Sequence, residues 1–105
     1  MFAGVRKEAD KASVLAECEA SRGAGACASL VPIILDVTKA EQIAAAVATV
    51  TQWVEGHKQP LVAVVNNAGI TIPGPTEMSE LENFRTGLQQ NFLLTWRLLQ
   101  SCFSV

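Results

Sequence analysis

The chain has 105 residues, 50% of them hydrophobic and 17% charged, with a formal net charge of −2. That length allows at most one domain, and that apolar fraction excludes a mainly disordered chain; the eight basic residues are scattered, which excludes a nucleic-acid-binding stripe. Tyrosine is absent altogether, so no phenolic acid or base can enter a mechanism built from these residues.

Residues 1–5 are a short apolar run that reads as the end of a strand. From Glu8 to Arg22 the chain is rich in alanine and glutamate, which favour helix, and Gly23 is a natural stop. The apolar face of that helix (Val14, Leu15, Cys18) is thin, so it would cover a sheet only lightly. Residues 30–35, built around Val31, Ile33 and Ile34 and ended by Asp36, read as a strand buried in a parallel sheet. Thr38 with Glu41 three residues on predicts a capping box. The helix it opens carries Ile43, Val47, Val50 and Val54 at helical spacing and is expected to stop at Gly56, before Pro60.

A second continuous apolar run at 61–65 includes Val62, Val64 and Val65 and predicts a third strand, ending in Asn66-Asn67-Ala68-Gly69. After a loop at 70–78, Ser79 and Glu82 form a second capping-box pattern. The apolar face that follows runs Leu81, Phe84, Leu88, Phe92 and broadens through Leu93, Leu94, Trp96, Leu98 and Leu99. Apolar strands alternating with helices specify the α/β class, a parallel sheet with right-handed crossovers. There are no repeats, low-complexity tracts or linkers.

Cys18, Cys27 and Cys102 lie far apart without a C-x-x-C and read as reduced thiols of a cytoplasmic protein. With His57 the one histidine, no Cys/His zinc site of usual spacing can be assembled. His57, Trp53 and Trp96 read as structural. No signal peptide is recognisable, and no apolar run approaches the roughly 20 residues of a membrane span. The letters Gly23-Ala24-Gly25-Ala26-Cys27-Ala28 match a dinucleotide fingerprint, G-x-G-x-x-A. That motif needs a strand before it and a helix after it, so that phosphates meet a helix N-terminus. Here the order is reversed, and the segment reads as an ordinary connection between helix and strand.

The Asn66-Asn67-Ala68-Gly69 run is better placed, at the carboxyl end of an apolar strand, where open parallel sheets bind ligands. Its amides can tie loops together, and its small residues let a ligand approach the backbone; a turn that merely ends the strand has the same letters. Val65-Asn66-Asn67-Ala68-Gly69 after such a strand, with Leu35-Asp36-Val37-Thr38 one unit upstream, resembles the short-chain dehydrogenase/reductase family, and within it the branch acting on retinol, steroids and hydroxy acids. The resemblance spans nearly the whole chain but less than half of a family domain.

The resemblance implies a partial NAD(P)-binding Rossmann-like domain over 1–105: a doubly wound parallel sheet reduced to the family's strands 2, 3 and 4. It implies that Asp36 hydrogen-bonds the adenine amino group with the Val37 amide nearby, and that Asn66, Ala68 and Gly69 pack beside the cofactor ribose. Asn91 matches the helix asparagine of the family's Asn-Ser-Tyr-Lys tetrad, which holds a water of the proton relay. Members often carry glycine where Leu94 stands. Gly4 stands where an acid would select NAD(H), and Arg6, with Lys7 beside it, can grip a 2′-phosphate bidentately; this implies NADP(H) in preference to NAD(H). The glycine-rich turn would precede Met1, and the catalytic serine and Tyr-x-x-x-Lys pair would follow Val105.

In the sheet order 3-2-1-4-5-6, strand 1 separates strands 2 and 4. Its absence predicts either direct pairing of the run at 1–5 with that at 61–65, or an aggregation-prone chain with open edges. Two functional expectations follow. The chain is an internal fragment of an oxidoreductase that interconverts an alcohol and a carbonyl compound by hydride transfer, inactive in isolation. The alternative is a non-catalytic interaction protein that forms a homo- or hetero-oligomer, or joins an intact reductase, through the helix at 79–103.

Overall fold

The structure, a computed structural model, describes residues 1–23 and 25–102, with Thr76 described in its backbone alone. Strand β1 (Phe2–Val5) leads through helix α1 (Glu8–Arg22) to strand β2 (Val31–Ile34), and helix α2 (Ala40–His57) follows. After a short 3-10 turn at Thr76–Met78, helix α3 (Leu81–Leu88) passes through a π-helical turn (Gln89–Leu93) into helix α4 (Leu94–Cys102). β1 and β2 pair in parallel, from Phe2 opposite Val31 to Val5 opposite Ile34. The α/β class is therefore present, with α1 as the crossover.

The expected third strand is not. Residues 61–65 belong to no ladder, and the sheet has two strands, β1 and β2. Strand character needs a neighbouring edge as much as β-branched residues, and the free edge of β1 faces a cavity instead of this segment. Val62 and Val65 are left 88% and 85% exposed. Nor does direct pairing of the two runs close the gap.

The core is correspondingly small. Among the described residues only Val5, Cys27, Ile43, Ala46 and Leu94 are buried. The radius of gyration is 16.3 Å, against roughly 13 Å for a compact domain of this length. α1 buries no residue, as its thin apolar face implied. α2 holds to β1 through Trp53, whose ring meets Phe2 edge-on at 5.7 Å; His57 stacks on Trp53 at 4.2 Å and donates through Nδ1 to its carbonyl.

Both capping boxes are absent, for the same local reason. The Thr38 hydroxyl and amide donate to Asp36 Oδ1 at 2.7 and 2.9 Å, an Asx-type turn that uses up the cap, so α2 starts one residue later, after Lys39. The Ser79 hydroxyl donates to the Pro75 carbonyl, and α3 begins after Glu80 with no side-chain cap. α2 runs past Gly56 to His57 and is capped by Lys58, in the left-handed region at φ 52°.

The cysteines also depart from expectation. Gly23 and Gly25, at φ 91° and 83°, turn the chain back after α1. They bring Cys18 and Cys27 to a Cα separation of 6.1 Å, and the two form a disulfide. This pairing removes the ground on which reduced thiols and a cytoplasmic placement rested. Cys102 is the free cysteine among the described residues, its thiol pushed up by partial burial.

Candidate functional site

The carboxyl ends of β1 and β2 and the Asn66-Asn67-Ala68-Gly69 run gather at one edge of the molecule. Beside them lies a cleft of about 350 Å³, lined by Phe2, Ala3 and Gly4 along β1, by Leu35 and Val37 just after β2, by residues 65–68, and by Thr95 and Leu98 from α4. Val37, Asn66 and Ala68, three of the expected site residues, thus share one cleft. Its size is within the range of small-molecule sites.

Asp36 sits beside the cleft, fixed from both sides. Its carboxylate accepts from Thr38 as described, and its own amide donates to Gln42 Oε1 at 2.7 Å. The Thr38 hydroxyl and amide hold its carboxyl below the ordinary aspartate range; desolvation opposes them, and Lys39 and then Arg6 add smaller favourable charge. Arg6 is exposed just after β1, near enough to act on that carboxylate. Because the folded pKa is depressed, the stability Asp36 contributes is present above its unfolded pKa, near 4, and is lost as pH falls through the folded value. Thr38→Ala should move the Asp36 titration, followed by carboxylate carbon NMR, back up toward ordinary aspartate. An unchanged midpoint would show that the hydroxyl contributes nothing.

Asn91 and Gly69 lie outside the cleft lining but meet each other. Asn91 Oδ1 accepts from the Ile70 amide and Nδ2 donates to the Ile70 carbonyl, both at 2.8 Å. A Cβ added at Gly69 would stand 2.9 Å from Asn91 Oδ1, so only glycine allows this approach. Asn91 therefore clamps the end of the Asn66–Gly69 run from the π-helical turn, an element often found at functional positions. Leu94, one turn on, is buried, so the larger side chain serves the small core.

Sequence reasoning missed Gln42, Thr95 and Ile70. Thr95 could have been found, since it follows Asn91 by four residues on the same helical face. Ile70 takes part through its backbone, and nothing in the letters marks Gln42 as the partner of the Asp36 amide. The described residues of the Gly23–Ala28 segment lie between α1 and β2, and none of them lines the cleft.

The chain matches the family model described as short chain dehydrogenase over residues 1–104. No curated protein and no solved structure matches it significantly. The chain belongs to the short-chain dehydrogenase family, whose members are NAD(P)-dependent oxidoreductases acting on small molecules. Among the described residues no helix is long and apolar enough to cross a membrane.

The residues present fit such a dinucleotide in part. Asp36, Arg6 and the small residues at 68–69 suit an adenosine end. Among the described residues the starts of α1 and α2 offer the pyrophosphate no cradle, because their first turns carry Glu8 and Asp10, and Glu41, which repel phosphate.

Proposed function

We propose that these residues form the adenosine-side portion of an alcohol/carbonyl oxidoreductase, of the branch acting on retinol, steroids or hydroxy acids. In this reading NADP(H) is taken in preference to NAD(H), and the isolated chain turns nothing over. One observation carries the reading: Asp36, Val37 and the Asn66–Gly69 run converge at the carboxyl ends of parallel strands, with Asn91 fastening the run in place.

In the intact enzyme Asp36 would orient the adenine and Arg6 would meet the 2′-phosphate. Asn66, Ala68 and Gly69 would bound the ribose. Asn91 has both polar atoms of its side chain engaged by Ile70, so it would serve a proton relay through the backbone of its π-helical turn. When bound, the cofactor would supply the hydride. The proton must come from a donor this chain lacks, since it has no tyrosine.

Sequencing the transcript on both sides tests the reading. An in-frame glycine-rich turn upstream and a Tyr-x-x-x-Lys pair downstream are expected; a frame holding neither would overturn it. Titration calorimetry of the 105-residue chain with NADPH should give no measurable binding.

A second reading, association through the α3–α4 face, is favoured by a specific feature. Leu81, Phe84, Leu88, Phe92 and Trp96 recur at helical spacing and are all exposed. Co-expressed with a full-length member of the family, the chain should co-purify with it. Phe84→Glu combined with Phe92→Glu should reduce recovery by at least about tenfold, as expected for aromatic anchors at an interface centre. Unchanged recovery would remove this face from consideration.

A further inference from the structure

Gln42 is the third residue of α2, which follows Lys39. In a capping box the glutamine or glutamate at that position reaches back to the amide of the residue just before the helix. Here the Lys39 amide donates to the Asp36 carbonyl at 2.9 Å instead. Gln42 reaches further back, and its Oε1 accepts from the Asp36 amide at 2.7 Å. The side chain thus serves the turn after β2 and leaves α2 without a side-chain cap.

The bonds that fix Asp36 fall into two kinds. Those from Thr38 to Oδ1 and from Lys39 to the carbonyl are internal to the turn. Among the described residues the Gln42 bond is the one that ties the turn to the body of α2. α2 in turn is anchored by the buried Ile43 and by Trp53 against Phe2. A trans peptide sets its N–H and C=O in opposite directions. With the Asp36 carbonyl aimed at Lys39, the Val37 N–H points away from the start of α2, and Val37 lines the cleft. Among the described residues neither that N–H nor Asp36 Oδ2 has a partner. One donor and one acceptor therefore stand free on adjacent residues at the edge of the cleft.

We propose that Gln42 is a positioning residue for a bound adenine: by holding the Asp36 amide it keeps Asp36 Oδ2 and the Val37 N–H side by side, as acceptor and donor for the base's amino group and a ring nitrogen. The inference rests on the adenosine-side reading above. Gln42 touches no base itself and acts through the turn. Without it that turn is held only by its own internal bonds, which open and close together.

The test compares the full chain with Gln42→Ala and Gln42→Glu by NMR. In Gln42→Ala the Asp36 amide should exchange about five- to tenfold faster, as for loss of one hydrogen bond. The Leu35 amide, bonded to Val5, should keep its protection and report an intact sheet. The Asp36 carboxyl, which faces the charges of Arg6 and Lys39 as well as the Thr38 donors, should titrate at higher pH than in wild type, because the Thr38 bonds are now made for less of the time. The direction matches that of Thr38→Ala, with a smaller size. Gln42→Glu keeps the acceptor and should restore protection of the Asp36 amide. An unchanged Asp36 midpoint in Gln42→Ala would overturn the proposal by showing that the turn holds itself. So would equal loss of protection at Leu35, which marks a merely structural role, or failure of glutamate to rescue. A transcript lacking the family's remaining motifs would remove the adenine and leave these readings as they are, so the two failures are distinguishable.

Discussion

Asn91→Ala is expected to release the end of the Asn66–Gly69 run from α3–α4 and to lower stability by about 1 kcal/mol, the low end for two exposed hydrogen bonds. Both polar atoms of this side chain go to Ile70, so no other group replaces them in place. The loss should appear as a lower urea midpoint and as faster exchange of the Ile70 amide. Asn91→Asp keeps the acceptor and removes the donor, and should fall between wild type and alanine. Gly69→Ala reaches the same contact from the other side, because its Cβ would press to 2.9 Å from Asn91 Oδ1 and push the amide off Ile70. In a double-mutant cycle the two changes should therefore cost clearly less together than the sum of their separate effects. Additive costs would mean that Gly69 is required for some reason other than the clamp.

The second large effect belongs to the disulfide. Cys18 and Cys27 are nine residues apart in sequence, and closing so short a loop removes roughly 2.5–3 kcal/mol of unfolded-chain entropy in the chain-entropy description. α1 has no buried residue of its own, so this link is its firmest attachment to the connection that leads into β2. Cys18→Ala, which suits a helix and leaves the buried Cys27 in place, should lower the urea midpoint by most of that amount and fray the end of α1. Reduction of the wild-type chain should reproduce the change. A midpoint indifferent to reductant and to the substitution would show that α1 is held by other contacts.

What could be read in the sequence was what depends on near neighbours. The alanine- and glutamate-rich stretch became α1 over the residues expected, and the apolar runs at 1–5 and 30–35 became β1 and β2, since each supplies the other's edge. The run at 61–65 is similarly apolar, but a cavity separates it from the free edge of β1, which is why composition misled there. Each capping box failed to a rival partner: Asp36 took the Thr38 hydroxyl, and the Pro75 carbonyl took that of Ser79. At the site, Asp36, Val37 and the Asn66–Gly69 run could be marked by motif and strand context. The side-chain contact of Asn91 could not, because it is made to backbone 21 residues away. The disulfide was hidden for a related reason, since it depends on two glycines turning the chain back at positive φ.

The central claim is that the carboxyl-edge site stands on a parallel sheet left open beside β1. Backbone amide exchange, residue by residue in the free 105-residue chain, tests it most directly. The account predicts protection at Val31 and Leu35, which bond to β1, and at Ile70, which bonds to Asn91, together with rapid exchange throughout 61–69. Protection of residues 61–65 equal to that of β2 would show that this run has closed onto the sheet, and would contradict the account.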